Sequence, residues 1–334
     1  MAILCLMPSG SIAQPLANPP LEPPPLVEVE TVTPAFVEQF RTDYATFNHD
    51  SIMKWISPKR GLVQDSILMS YEGTSAQMKE FVKEMKDLKS NSVDFFQGYY
   101  TGTSREKKFY KAFYQINLSL NKVAQRINIV AVFEKIGDKW YLVQTHNLRL
   151  TRGTMNTPDK ESLTLQTNVL TIGERPLDFE GKTFSKTKQS RRFASQMAIK
   201  RNRPVLLNFF TRMSGDFGAQ LKWMETLYPK FKGKNIYIFC VTDDEPEFVA
   251  PFIDQEKLTL AVLLDVNSLI HQDLEVDIHP YIILLDHRGV VRTISRGYNK
   301  ESYGLVENLM TEIIDEANRD IALEKEGGPP INKY

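Results

Sequence analysis

The sequence predicts two folded units in series. The first is α+β, with helices packed on a curved antiparallel sheet, cone-like in outline. The second is α/β, with strands and helices alternating. Three observations carry this reading. The chain has 334 residues, enough for two separate cores. Apolar residues recur at helical spacing up to about residue 88 and at alternate positions from about 93 to 150. Beyond a polar stretch at 151–165, short apolar strands alternate with helical patterns, the order that builds a largely parallel sheet.

Taken in order, the first residues are a short apolar stretch, Ala2-Ile3-Leu4-Cys5-Leu6-Met7, followed by Ser11-Ile12-Ala13-Gln14. This fits the apolar part and small-x-small cleavage site of an export signal, although the positively charged start is missing. Residues 1–14 are therefore expected to be a signal-peptide remnant of an exported or periplasmic protein, with a cytoplasmic location left open. Cleavage after Ala13 would leave Cys240 as the single cysteine, so no internal disulfide is expected. Residues 15–32 form a proline-rich linker, in a stretch where residues 15–34 hold seven prolines. Such a run favours extended polyproline geometry and buries no core.

The first unit is placed at 33–150. Thr33-Pro34 reads as a cap followed by proline at the first helical position. Phe36, Val37, Phe40, Tyr44 and Phe47 then recur at helical spacing. A second short helix carries Ile52, Met53, Trp55 and Ile56. Thr74-Ser75-Ala76-Gln77 has capping-box spacing and is expected to open a third helix. The strand over 109–120 alternates, with Tyr110, Tyr114, Ile116, Leu118 and Leu120 on one face. Strands 125–136 and 139–150 join at Gly137-Asp138, a hairpin signal. In the last of these, Trp140, Leu142, Gln144 and His146 are expected on one face.

Residues 151–165 read as a linker, and 166–320 as the second unit, with a tail at 321–334. Short strands are expected at 169–172 and 179–184, and a helix at 192–200. Strands at 204–210, 235–241 and 260–264 then alternate with helices at 216–231, 246–256 and 266–274. A hairpin pairs 281–286 with 290–295, and a last helix starts near 299.

Lys+Arg and Asp+Glu are both 41, so there is no basic field to recruit nucleic acid or anionic lipid. The short run Lys186, Lys188, Arg191 and Arg192 reads as a solvated face. No apolar run approaches the ~20 residues of a spanning helix, so no integral membrane segment is expected.

The second unit resembles the thioredoxin family, of the extracytoplasmic cytochrome-maturation type. The resemblance rests on an ordered series covering about residues 200–315. An apolar strand, Val205-Leu206-Leu207-Asn208-Phe209-Phe210, runs into the turn Met213-Ser214-Gly215-Asp216-Phe217. Then come Asn235 to Asp244, Leu260 to Asp265, Val276 to Asp286 with His279-Pro280-Tyr281, and Gly289-Val290-Val291-Arg292 with Gly297-Tyr298. The resemblance implies a cis peptide bond at Pro280, facing the 213–217 turn. It also implies that Ser214 and Phe217 stand where the family carries its attacking and resolving cysteines. Dithiol chemistry needs a thiolate and a second thiol, which these residues do not supply. The first unit is similar to the nuclear transport factor 2-like superfamily, on its element order and the hairpin Phe133-x-Lys135-x-Gly137-Asp138-Lys139-Trp140-Tyr141-Leu142-Val143. A cystatin-like helix on a sheet is the rival.

Several candidate sites follow. Met213, Phe217, His279, Pro280 and Tyr281 would form a surface able to hold an extended peptide. The bland alternative is that Phe217 fills the space of a lost disulfide. Ser214 beside His279 would be a nucleophile and its base, or merely a helix cap and a groove residue. Cys240, inside an apolar strand, reads as an inert core residue. Tyr44, His49, Trp55, Tyr114 and His146 would line a pocket in the first unit, or belong to its core. The five histidines show no metal-ligand spacing, so neither a metal nor any other cofactor is expected. The expected role is a redox-inactive module that binds a protein or peptide or acts as a scaffold. The alternatives are a small-molecule or enzymatic site in the first unit, and an atypical thiol-disulfide oxidoreductase.

Overall fold

Pro34 occupies the position before helix α1 (Ala35–Ala45), and its carbonyl accepts from the Val37 backbone N–H. Proline, not the expected Thr33, thus starts the helix. Helix α2 (His49–Met53) is capped by Asn48, whose side chain accepts from the backbone of Asp50 and Ser51. Two strands then appear that the sequence reading did not identify, β1 (Leu62–Gln64) and β2 (Ile67–Met69). They turn through Asp65 and Ser66, both at positive φ (47° and 67°), the conformation of a tight two-residue hairpin. Helix α3 (Tyr71–Glu84) starts three residues before the expected Thr74, because Ser70 accepts from Gly73 N–H and takes the cap. Thr74 lies inside the helix and donates to the Ser70 carbonyl.

The computed structural model describes residues 33–85, 90–102, 107–120, 123–148, 170–184, 191–214, 217–297 and 299–328. The proposed signal remnant, the proline-rich linker and the 151–165 linker lie outside the described residues.

Four long strands follow: β3 (Ser90–Thr101), β4 (Phe109–Leu120), β5 (Val123–Ile136) and β6 (Lys139–Leu148). The first sheet runs β2-β1-β6-β5-β4-β3, antiparallel except where β1 lies parallel to β6. Alternation sends Tyr110, Ala112, Tyr114, Ile129, Ala131 and Phe133 to the helix side, where Val37, Phe40 and Trp55 meet them. The opposite residues, Phe109, Phe113, Val130 and Val132, do not face water. They join the core of the second unit. This sheet is therefore covered on both faces.

Strand β6 breaks the expected alternation. Its register against β5 shifts between Val132 and Phe133, which pair with Gln144 and Leu142, so Val143 is the extra residue of a bulge. Leu142 packs on the helix side, whereas Gln144 bonds Leu170 and Ile172 on the other side. The single face expected for Trp140, Leu142, Gln144 and His146 is thus split in two.

The second sheet contains β7 (Glu180–Phe184), β8 (Arg191–Ala194), β9 (Val205–Phe209), β10 (Tyr237–Thr242), β11 (Ala261–Leu264), β12 (Tyr281–Leu285) and β13 (Val291–Arg296). Its order is β13-β12-β9-β10-β11-β7-β8. Strands β9, β10 and β11 are parallel, and β12 is antiparallel to β9 and β13. The connecting helices are α4 (Ser195–Lys200), α5 (Phe217–Phe231), α6 (Pro246–Gln255) and α7 (Leu269–Asp273), with α8 (Lys300–Lys325) closing the chain. The expected helix at 192–200 is shorter, because Arg191–Ala194 pair with β7 as an edge strand. Residues 170–172 are not a strand. Helix α8 runs past residue 320, with Tyr303, Val306, Met310, Ile313 and Ala317 buried at helical spacing.

The two sheet regions meet through hydrogen bonds and ion pairs as well as apolar packing. Within the second unit, the 171–174 segment pairs with β13 (Gly173 N to Val291 O 2.8 Å, Val291 N to Glu174 O 2.9 Å). Arg296 N donates to Ser66 O at 2.7 Å. The buried Arg292 pairs with Glu134 of β5 at 3.1 Å, Glu316 of α8 at 2.6 Å and Asp286 at 3.5 Å. Lys108 reaches Glu316 at 2.9 Å, and Arg60 reaches Glu134 at 3.2 Å and Glu312 at 2.6 Å.

Candidate functional site

The carboxyl ends of β9, β10 and β11 and the start of β12 converge on one edge of the second sheet, where open α/β sheets usually bind ligands. After β9 the chain turns at Thr211–Ser214, with Ser214 N donating to Thr211 O at 3.0 Å. Asp244, beyond β10, pins this turn by accepting from Arg212 N at 3.0 Å. The Arg212 guanidinium lies 3.8 Å from the centre of the Phe248 ring. Met213 at the tip is 83% exposed. Seven large apolar side chains are well exposed among the described residues. Four of them, Met213, Phe248, Val266 and Leu269, lie on the loops and helix starts after β9, β10 and β11.

The His279–Pro280 peptide bond is cis, as the thioredoxin resemblance implies. Ser214 Oγ donates to the main-chain carbonyl of His279 at 3.1 Å, which ties the 213–217 turn to the start of β12. The His279 imidazole is engaged elsewhere. Its Nε2 stands 3.0 Å from Nε2 of His271. The idea of Ser214 as nucleophile and His279 as its base is therefore not supported by the geometry, since the hydroxyl meets a carbonyl and the ring meets another ring. Pro280 is buried. Tyr281 is only 4% exposed, because it opens β12 between Phe209 and Arg296, and it does not offer a ring to the surface. Phe217 opens α5, and its side chain lies outside what the structure describes, as do Gly215 and Asp216.

His271 sits in α7 against Asp265, whose carboxylate takes three bonds: from Ile270 N (3.1 Å), His271 N (2.9 Å) and His271 Nδ1 (2.6 Å). Burial pushes the Asp265 carboxyl up, but these bonds outweigh it and hold its pKa below the usual value. The carboxylate thus stays ionised. Burial lowers the His279 pKa and the neighbouring His271 lowers it further, against Asp243, Asp244 and Asp277. Both histidines face a cleft of about 640 Å³ walled by Ser66 and His146 of the first sheet region and by Asp243, Glu275 and Asp277 of the second.

Cys240 is fully buried in β10. Burial raises its thiol pKa to about 12, and Asn208 donates to its sulfur at 3.7 Å.

Residues 172–294 match the model of the AhpC/TSA family. The matched span holds the whole second sheet up to the middle of β13, and the C-terminal region is thioredoxin-like. A curated relative, Thiol-disulfide oxidoreductase ResA of Oceanobacillus iheyensis, is 26% identical over 127 residues, which is 38% of this chain and 65% of the relative. The chain therefore spans just under two thirds of that relative's length. Among solved structures, a protein described as a thiol:disulfide interchange protein DsbE from Chlorobium tepidum is 20% identical. It covers 43% of this chain and 99% of its own, with a TM-score of 0.39. A 2-Cys peroxiredoxin of Plasmodium vivax is 14% identical, with 46% and 98% covered and a TM-score of 0.36.

Of the residues proposed for a pocket in the first unit, three come together as packed core and two stand elsewhere. Tyr44, Trp55 and Tyr114 lie in the aromatic core, where Phe40 packs within 4.9–5.6 Å of the Tyr44, Trp55, Tyr114 and Phe133 ring centres. Trp55 Nε1 is satisfied by Asp43 at 3.0 Å. His49 stands apart at the start of α2, bonded to Ser75 and Asp50. His146 is on the other side of the sheet, beyond the β6 bulge, and faces the cleft. Sequence reasoning missed His271, Asp265 and Asp243. The available signal was Asp265 six residues before His271, each beside an apolar segment, but nothing in the spacing ties either to His279.

Proposed function

We propose that the C-terminal region is a thioredoxin-like recognition module that holds an extended segment of a protein or peptide and performs no dithiol exchange. The observation that carries this reading is the concentration of exposed apolar side chains, Met213, Phe248, Val266 and Leu269, on the loops after the parallel strands. Exposed aromatic and methionine side chains beside a polar rim are suitable anchors for a partner segment. The chemistry agrees. The turn residue Ser214 carries a hydroxyl committed to the His279 carbonyl, and Cys240 is sealed in the core. The relatives' thiol-disulfide activity therefore has no pair of accessible thiols here to carry it.

We infer that the first unit is nuclear transport factor 2-like and serves as a structural partner of the second. The aromatic packing around Phe40 argues against a small-molecule cavity at the positions expected for one. Export remains the compartment inferred from the Ala2–Met7 stretch, and cell fractionation tests it.

A photo-crosslinking amino acid placed at Met213 tests the recognition reading. Adducts should map to discrete segments of partner proteins. The double change Met213→Asp and Phe248→Ser should weaken capture of those segments about tenfold or more. Catalysed reduction of insulin that disappears in Cys240→Ser would overturn the reading.

A further inference from the structure

The cleft edge brings together three side chains of a different chemistry. Asp243, His271 and His279 each offer one donor atom, and these atoms all lie within 4.8 Å of one another. Asp243 follows β10, His271 lies in α7 after β11, and His279 precedes β12, so two connections and one short helix supply one ligand each.

Their orientation is fixed from behind. The Asp265 carboxylate accepts from His271 Nδ1 at 2.6 Å, so that nitrogen carries the proton and Nε2 presents a lone pair. A carboxylate behind an imidazole is the arrangement that orients a metal-binding histidine and raises its basicity. The His271 lone pair points at His279 Nε2, 3.0 Å away. Two imidazole nitrogens on a tetrahedral zinc ion, with bonds of ~2.0–2.1 Å, stand about 3.3 Å apart. The pair is thus already close to the spacing a shared ion imposes. The Asp243 carboxylate also accepts from Ser268 Oγ, at Oδ2 and 3.3 Å.

We propose that Asp243, His271 and His279 bind one divalent transition-metal ion of the zinc class, with a remaining coordination position open to the cleft. Two imidazoles and a carboxylate suit zinc and its neighbours in the first transition row, whereas magnesium and calcium prefer all-oxygen sites. Three protein ligands with an open fourth position form a site able to take a further ligand from the cleft. This inference does not rest on peptide recognition, and it reverses the expectation from sequence spacing that no metal is held.

The test uses full-length, tag-free protein stripped with a chelator and titrated with Co²⁺. Visible absorption bands should saturate at one Co²⁺ per chain, be erased by Zn²⁺ and be unaffected by Mg²⁺. Asp243→Ala and His279→Asn should each weaken binding about tenfold or more, and Asp265→Asn by about 10–100-fold. His49→Ala, at a remote histidine, should leave binding unchanged. Circular dichroism of the metal-free variants separates lost ligands from lost fold. Asp243 is half-exposed, so Asp243→Ala decides the matter if a histidine variant fails to fold. Absence of the bands at millimolar Co²⁺ would overturn the proposal and leave a plain hydrogen bond between His271 and His279. Bands that persist unchanged in Asp243→Ala and His279→Asn would overturn it equally.

Discussion

At the residue scale, Cys240 and Ser214 are both committed within the fold, one to the core and one to a main-chain carbonyl. Cys240 is 0% exposed and its thiol pKa is raised to about 12 by burial, so thiolate is scarce at neutral or mildly alkaline pH. Iodoacetamide at pH 8 should label Cys240 only as the chain unfolds, with peptide mapping separating it from Cys5. Rapid labelling of the folded protein would contradict the burial. The inert role of Cys240 was legible because Ile236, Ile238, Phe239 and Val241 surround it in sequence. The approach of Ser214 to His279 was expected from the resemblance, but its partner is the main-chain carbonyl, which residue types do not reveal. The pairing of His271 with His279 was likewise hidden, because a separation of eight residues from a helix into the following connection has no periodic signature.

At the scale of elements, the second sheet was read nearly strand for strand. Each of its central strands is a short apolar run bounded by turn residues, and a fully buried strand leaves that signature. The edges were read less well. The helix expected at 192–200 overruns strand β8 (Arg191–Ala194), because nothing in so short a run distinguishes an edge strand from the helix that follows it. The hairpin of β1 and β2 was missed for the same reason of length. Strand β6 was misread in its faces, because a period of two assumes a regular strand and the bulge at Val143 is not one. Gln144 reports what that bulge does. It is wholly buried, its Oε1 accepts from Ile172 N at 2.7 Å, and Nε2 lies 3.5 Å from the Leu170 carbonyl. Gln144→Leu should therefore cost about 1–3 kcal/mol, measured as a lower urea midpoint, because it strands the Ile172 N–H. An unchanged midpoint would mean that another acceptor reaches that group.

At the scale of the whole molecule, the junction of the two sheet regions is both apolar and ionic. Burial raises the Glu316 carboxyl, but the Arg292 guanidinium and the Lys108 ammonium outweigh it and hold the pKa far below the usual range. Burial pulls the Arg292 guanidinium down, but Glu134, Glu316 and Asp286 outweigh it and push it up. A carboxyl depressed in the folded state contributes stability that is complete above its unfolded pKa and fades as pH falls below it. Stability should therefore decline from about pH 5 downward. Glu316→Gln should flatten that decline while lowering stability at pH 7, as urea melts across the pH series would show. Removing Arg292 is a different perturbation, since it leaves Glu134 and Glu316 without their shared cation. Arg292→Leu should cost about 3–5 kcal/mol, read as a large fall in the urea midpoint. A fall of less than 1 kcal/mol would show that Lys108 and Arg60 suffice to neutralise the acids.

The bulge in β6 also acts as a parity switch. One surplus residue, Val143, exchanges odd for even in everything downstream, and this delivers Gln144 and His146 to the side facing the second sheet. Deleting that single residue would restore the count and turn both side chains back towards the aromatic core. The cleft that faces His271 and His279 thus owes one of its walls to a single surplus residue in the other half of the chain.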